Sequence, residues 1–227
     1  MKYIAFIVFL LATHMIVGQE DIKEYSIEKG EVLDVLFVRT KPDTKEAFAS
    51  YKNDIFKLAL EYTVQFLPGF QVSKIIYGNN QPTSLVIVKW ADKERRESFL
   101  VEVEKEIKDF HERRQSIWSI FKLAYFPHRS AKKYVVDNSA YNVAFSLWGT
   151  DEDVERYMKK YGESMEKYNG SIPISLTDGI SPFRYRFDAD VFFVSSWKDK
   201  ETFDAFFQEV SDFEKHGLTD AQVYELK

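Results

Sequence analysis

Six residues in this chain combine polar chemistry with spacing that suits a small-molecule site: Asp34, Asn142, Ser146, Trp148, Arg184 and Arg186. The segment NVAFSLW (142–148) reads as a strand, and alternation places Asn142, Ala144, Ser146 and Trp148 on one face. The matching segment DVLFV (34–38) carries Asp34, Leu36 and Val38 on the corresponding face and is bulkier. Small and polar side chains beside a tryptophan leave room against an aromatic wall. A few convergent polar groups in apolar surroundings are what small-ligand sites usually present. The plainer alternative is that Asn142 and Ser146 serve neighbouring strands. Residues 177–190, TDGISPFRYRFDAD, place Arg184 and Arg186 near Asp188 and Asp190. Guanidinium–carboxylate pairs can bind an anionic ligand bidentately or simply hold a solvated hairpin. Loop insertions often carry function, so this segment is a candidate site edge.

Other chemistries are excluded by composition. The chain has no cysteine, which removes disulfides, thiolate nucleophiles, iron–sulfur clusters and cysteine zinc sites. Beyond His14 it has only His111, His128 and His216, and no two share a metal-ligand spacing. There is no Gly-x-Ser-x-Gly elbow and no glycine-rich phosphate loop. A net charge of −5 without a basic block argues against nucleic acid as a partner. No metal and no cofactor is expected. Asn169-Gly170-Ser171 forms a glycosylation sequon, which has meaning only in a eukaryotic secretory pathway.

Residues 1–19, MKYIAFIVFLLATHMIVGQ, place Lys2 before an apolar run from Tyr3 to Val17. That run is short for a membrane span, which needs about 20 residues, and suits the core of a signal peptide cleaved near Gly18 or Gln19. An uncleaved anchor is the competing reading. The expectation is a secreted or periplasmic protein with no membrane contact after cleavage. Without disulfides, burial alone must hold the fold, and 45% hydrophobic residues supply the means.

The elements that would position a site are arranged as a repeat. SLVIVKWADKERRESF (84–99) matches VFFVSSWKDKETFDAF (191–206) at an offset of 107, aligning Trp90 with Trp197 and Asp92 with Asp199. Each copy is an apolar strand ending in Trp, then an aspartate suited to cap the next helix. First helices are predicted over about 44–66 and 151–168 from apolar residues at three- and four-residue spacing, ended by Pro68-Gly69 and Asn169-Gly170. Second helices are predicted over 93–118 and 200–213, and the linker over 127–133. Each copy thus reads β-α-β-β-α-β, the ferredoxin-like order, over 31–126 and 134–226. Val35 and Phe37, matched with Val143 and Phe145, are expected to face the helices. The sheet of each unit has helices on one face only, so the other face needs cover.

In this order, and in the Trp-x-Asp-Lys-Glu-(x)4-Phe segments, the chain resembles the dimeric α+β barrel superfamily, including antibiotic-biosynthesis-monooxygenase-like and stress-responsive barrel domains. The resemblance implies an α+β fold: two tandem ferredoxin-like units packed sheet to sheet, a pseudo-dimer expected to be monomeric at about 25 kDa. The strand-face reading then puts a small apolar or aromatic molecule in the cleft between the sheets. The alternative is a cofactor-independent monooxygenase, cyclase or isomerase on the same fold. Chlorite-dismutase-like members hold haem iron through a histidine in the second unit, for which only His216 is placed by position, without a haem motif around it.

Overall fold

The computed structural model describes residues 21–182, 185 and 187–227. Residues 1–20, where a signal peptide is expected, and both Arg184 and Arg186 therefore lie outside the described residues. The described residues begin with β1 (Ile22–Ile27). The first unit then runs β2 (Val32–Thr40), α1 (Lys45–Tyr51), a π-helical segment (Lys52–Phe56), α2 (Lys57–Glu61), β3 (Gln65–Tyr77), β4 (Ser84–Trp90), α3 (Lys93–Glu106), α4 (Phe110–Ile117) and β5 (Trp118–Pro127). After β6 (Lys132–Asp137), the second unit runs β7 (Tyr141–Trp148), α5 (Asp151–Lys167), β8 (Ser171–Thr177), β9 (Val191–Trp197), α6 (Lys200–Val210), a 3-10 turn (Glu214–His216) and β10 (Asp220–Leu226).

Both units take the ferredoxin-like strand order, β5-β2-β4-β3 and β10-β7-β9-β8, and β3 pairs with β10 to make one eight-stranded antiparallel sheet. Tyr125 of β5 and Ile180, three residues beyond β8, exchange two backbone hydrogen bonds of 2.9 Å. The two ends of the sheet therefore meet, and the sheet rolls into a barrel. Its interior is filled from both halves. Leu33, Val35, Phe37, Ile87 and Phe126 meet Ala144, Ile174, Phe192, Val194 and Tyr224, all buried. The rings of Phe37 and Tyr224 stand 4.8 Å apart, so the halves interlock.

Several local features differ from the sequence expectation. β1 and β6 pair as a two-stranded ribbon whose Tyr25, Ile27 and Val136 join the barrel interior. The ribbon occupies what reads as pre-domain and linker sequence. His128 ties its base, with Nδ1 3.1 Å from the Phe126 carbonyl and Nε2 3.1 Å from the Tyr134 hydroxyl. Pro68-Gly69 does not end a helix. It sits within β3 as a bulge, where a Cβ on Gly69 would lie 2.5 Å from the Leu85 carbonyl oxygen. The second helix of the first unit is broken at Ile107, which leaves helical geometry at φ −114° and ψ 87°.

The helix caps follow the sequence closely. Asp92 and Asp199 accept from the backbone N–H of Arg95 (2.7 Å) and Thr202 (2.8 Å). Helix α5 is a regular amphipathic helix capped by Thr150, with Val154, Tyr157 and Tyr161 buried. Its counterpart in the first unit is not regular. The π segment interrupts it, and Thr63 beyond it adopts φ 63°, an unfavourable left-handed conformation for a β-branched residue. Such π segments are often found where a helix lies over a site.

Candidate functional site

The predicted site residues divide between the two faces of the sheet. Asn142, Ala144, Ser146 and Trp148 do face the barrel interior, but that space is packed. Asn142 Nδ2 donates to the carbonyls of Asp137 (2.7 Å) and Ala140 (3.2 Å), and its Oδ1 accepts from Ser196. Its polar atoms thus serve neighbouring backbone and strand. Ser146 is fully buried and its Oγ has no hydrogen-bond partner. It lies in register between Phe192 and Gln222. Trp148 meets the edge of the Phe187 ring at 5.0 Å. Bulk that the sequence of β7 omits is supplied by Phe37, Phe187, Phe192 and Tyr224 from other elements.

Asp34 lies on the opposite face from the one expected. Asp34 pairs with Val88 across β2 and β4, while Val143 pairs with Ser195, the residue equivalent to Val88 at the offset of 107. The structural partner of Asp34 is thus Val143, not Asn142. That one-residue shift reverses every side chain of β2: Leu33, Val35 and Phe37 point into the barrel, and Asp34, Leu36 and Val38 point toward the helices.

Between the first unit's sheet and its helices is a cavity of about 590 Å³. Its floor is Asp34, Leu36 and Val38 of β2 with Val86, Val88 and Trp90 of β4. The roof comes from Phe48 and Tyr51 of α1, Ile55 and Phe56 of the π segment, Ala59 of α2, and Arg96, Phe99 and Phe110 of α3 and α4. Trp118, Phe121 and Leu123 of β5 form one wall. Tyr185 completes it, reaching over from the second unit's long loop. Ser181 pins that loop by donating to the Leu123 carbonyl (3.0 Å) and accepting from the Phe187 N–H (2.9 Å). Tyr185, between the two arginines, thus lines the cavity, while Arg184 and Arg186 themselves lie outside the described residues.

One ion pair is built into the floor. Arg96 donates from Nε to Asp34 Oδ1 (3.1 Å) and from Nη2 to Oδ2 (3.3 Å), and both residues are buried. The guanidinium also sits 4.3 Å from the centre of the Tyr125 ring. Burial pushes the Asp34 carboxyl above the usual carboxylate range, against the charge and hydrogen bonds of Arg96, which hold it down. Trp90 Nε1 has no hydrogen-bond partner among the described residues. Burial likewise raises Tyr51 and Tyr185, while the charge of Arg114 lowers both.

The second unit has no equivalent space in the described structure. Arg96 aligns with Phe203 at the offset of 107, and Asp34 with Val143 in the ladder. Counted from the caps at Thr44 and Thr150, Ile55 aligns with Tyr161. Phe145, Tyr161, Phe193, Phe203 and Phe206 are fully buried and pack ring on ring, with Phe145 and Phe193 stacked at 4.7 Å. One repeat is solid where the other is hollow. His216 meets the edge of Tyr157, 5.8 Å between ring centres, outside this aromatic core. No cluster of His, Asp and Glu suited to a metal ion occurs among the described residues, and no described helix is long and apolar enough to cross a membrane.

No protein-family model and no curated protein matches this sequence. Solved structures do. An anthrone oxidase-like protein superposes with a TM-score of 0.52 at 15% identity, over 89% of this chain and 94% of that one. The chain has the dimeric α+β barrel fold. Both halves of this barrel lie in one polypeptide, which explains the repeat around Trp90 and Trp197. A mutant chlorite dismutase from Candidatus Nitrospira defluvii in complex with cyanide matches at a TM-score of 0.49 and 8% identity, over 88% of this chain and 92% of that one.

Proposed function

We propose that this barrel protein binds a flat, mainly aromatic small molecule in the cavity of its first unit. The observation that carries the reading is the contrast between the repeats. Aromatic side chains close the space between sheet and helices in the second unit, while the first keeps about 590 Å³ open. An apolar cavity of this size with a few polar groups suits one drug-sized ligand. Trp90 and Trp118 in its lining make it observable. Titrating 2-naphthol and anthrone into the full chain should quench tryptophan fluorescence. Ala59→Trp, which fills the cavity, should abolish binding, whereas Ser146→Leu in the barrel interior should not. The reverse pattern returns the site to the space between the sheets.

A second reading, that the chain acts on what it binds, is favoured by Asp34. A buried carboxylate whose pKa is raised, lining an apolar cavity, is placed to accept a proton from an acidic C–H or O–H. An aromatic carbanion formed in that way reacts with dioxygen without a cofactor. For anthrone the balance is anthrone plus O2 giving anthraquinone plus water, the two oxygen atoms ending in the new carbonyl and in water. The fold shared with an anthrone oxidase-like protein makes anthrone a reasonable first substrate. Oxygen uptake with anthrone that survives in Asp34→Asn would reduce the protein to a binder. Export rests on residues 1–19 alone; an N-terminal sequence of the secreted product beginning at Gln19 or Glu20 is the matching test.

A further inference from the structure

The first unit's cavity is lined by hydrogen-bond donors that the chain leaves unused. Trp90 ends β4 and lines the cavity, and its Nε1 is buried without a partner among the described residues. An indole N–H can only donate, and a buried one ordinarily finds an acceptor because leaving it bare is costly. The second unit shows how the repeat meets that need. Trp197, the counterpart of Trp90, donates from Nε1 to Ser195 Oγ at 2.9 Å, and both residues are buried. At the offset of 107, Ser195 aligns with Val88, whose side chain accepts nothing. The hollow unit thus keeps the tryptophan and omits its partner.

Arg96 adds to the deficit. It also lines the cavity and spends Nε and Nη2 on Asp34, while Nη1 makes no hydrogen bond among the described residues. Asp34 already balances its charge, so Arg96 offers the cavity N–H groups without a net charge to neutralise. Trp90 belongs to the same cluster. Val32 faces Trp90 and Asp34 faces Val88 across β2 and β4, which makes Asp34 and Trp90 diagonal neighbours on the cavity floor. All three residues are buried, whereas Thr40 and Gln71, which line the other end, are exposed. Along β2, Asp34 and Thr40 are about 20 Å apart at the rise of an extended strand. The unused donors therefore stand at the closed end, far from the mouth.

We propose that the molecule held here carries a neutral acceptor oxygen, a ring ketone, which lies deepest and accepts from Trp90 Nε1 and the outer N–H groups of Arg96, its hydrocarbon frame directed toward Thr40 and Gln71. This rests on the reading that the cavity binds an aromatic molecule, and it names the group by which that molecule is held. A carboxylate is the poorer fit, because it would meet the Asp34 carboxylate beside an arginine already paired.

The test compares 9-fluorenone with fluorene, two planar molecules of one frame that differ at the carbonyl. The ketone has no acidic hydrogen, so proton transfer to Asp34 does not enter the comparison. Calorimetry with the full chain titrated into each should show the ketone bound at least about tenfold more tightly, although fluorene is the more hydrophobic. In an N–H correlation spectrum, the Trp90 indole signal, identified by its loss in Trp90→Phe, should move downfield with the ketone and less with the hydrocarbon. Val88→Ser supplies the hydroxyl that serves Trp197 and should erase most of the ketone preference. Equal binding of the two by the wild type, which requires no variant to fold, overturns the inference while the cavity reading stands. A ketone preference that leaves the Trp90 signal unmoved, or that survives Val88→Ser, overturns it as well. If neither molecule binds, the inference and the cavity reading fall together.

Discussion

Replacing Arg96 and Asp34 by what the second unit carries, Phe203 and Val143, gives the sharpest test of how the cavity is built. Arg96→Met alone leaves the Asp34 carboxylate buried with both oxygens stripped of donors. Breaking a buried pair from one side costs about 3–5 kcal/mol, whereas replacing the pair with apolar residues of similar volume is often neutral or stabilising by about 1–4 kcal/mol. Asp34→Val with Arg96→Phe should therefore fold at least as well as the wild type, although Arg96→Met does not. The coupling between the two positions should be about 3 kcal/mol, at the top of the range for contacting residues. Urea unfolding followed by tryptophan fluorescence measures both. The sign with pH is also fixed. Burial already holds Asp34 above its ordinary value, and without Arg96 its folded-state pKa rises further, while the unfolded value stays near about 4. A carboxyl raised on folding stabilises most when protonated, so the penalty in Arg96→Met is smallest below about pH 4 and grows as pH rises through the folded-state pKa. The double variant should also lose ligand binding, since it closes the floor. A single variant as stable as the wild type at pH 7.5, or a double variant no better than the single, would refute the argument.

His128 is buried at the base of the ribbon, and burial lowers its pKa despite the Phe126 carbonyl and the charge of Glu31. A histidine depressed on folding contributes stability above its unfolded value and loses it as pH falls, so stability should drop below about pH 6.5. His128→Gln should flatten that part of the urea-midpoint profile, and an unchanged profile would remove His128 as its cause. Residues 134–227 expressed alone should associate or precipitate, because they expose the β10 edge that pairs with β3 and the barrel-facing Phe192, Val194 and Tyr224. A monomeric, folded product by light scattering would mean that the halves do not depend on each other.

Much of the scaffold was legible because it depends on local rules. The caps at Asp92, Thr150 and Asp199 and the apolar stripe of α5 follow from contacts within a few residues, and the repeat around Trp90 and Trp197 carries the element order twice. Local signals failed where a neighbour from far along the chain decides the outcome. Pro68-Gly69 reads as a helix breaker, yet it is a bulge in β3 set by the pairing of that strand with β4. The ribbon of β1 and β6 joins segments more than a hundred residues apart, and neither carries a hairpin signal.

The candidate site shows the same division. Sequence alone determined that this chain has two ferredoxin-like halves, that no thiol chemistry is open to it, and that the loop at 177–190 is longer than its counterpart. It could not determine which way Asp34 points, because strand faces alternate with a period of two and the ladder aligns β2 with β7 one residue away from the alignment by resemblance. Nor could it show that one repeat is hollow. Volume between a sheet and its helices is the difference between large packed quantities contributed by many elements, and here a single exchange of Phe203 for Arg96 sets an ion pair where the other half sets a ring. Only the tertiary structure brings Arg96, Tyr185 and Asp34 around one space, since each comes from a different segment and none marks the others by spacing.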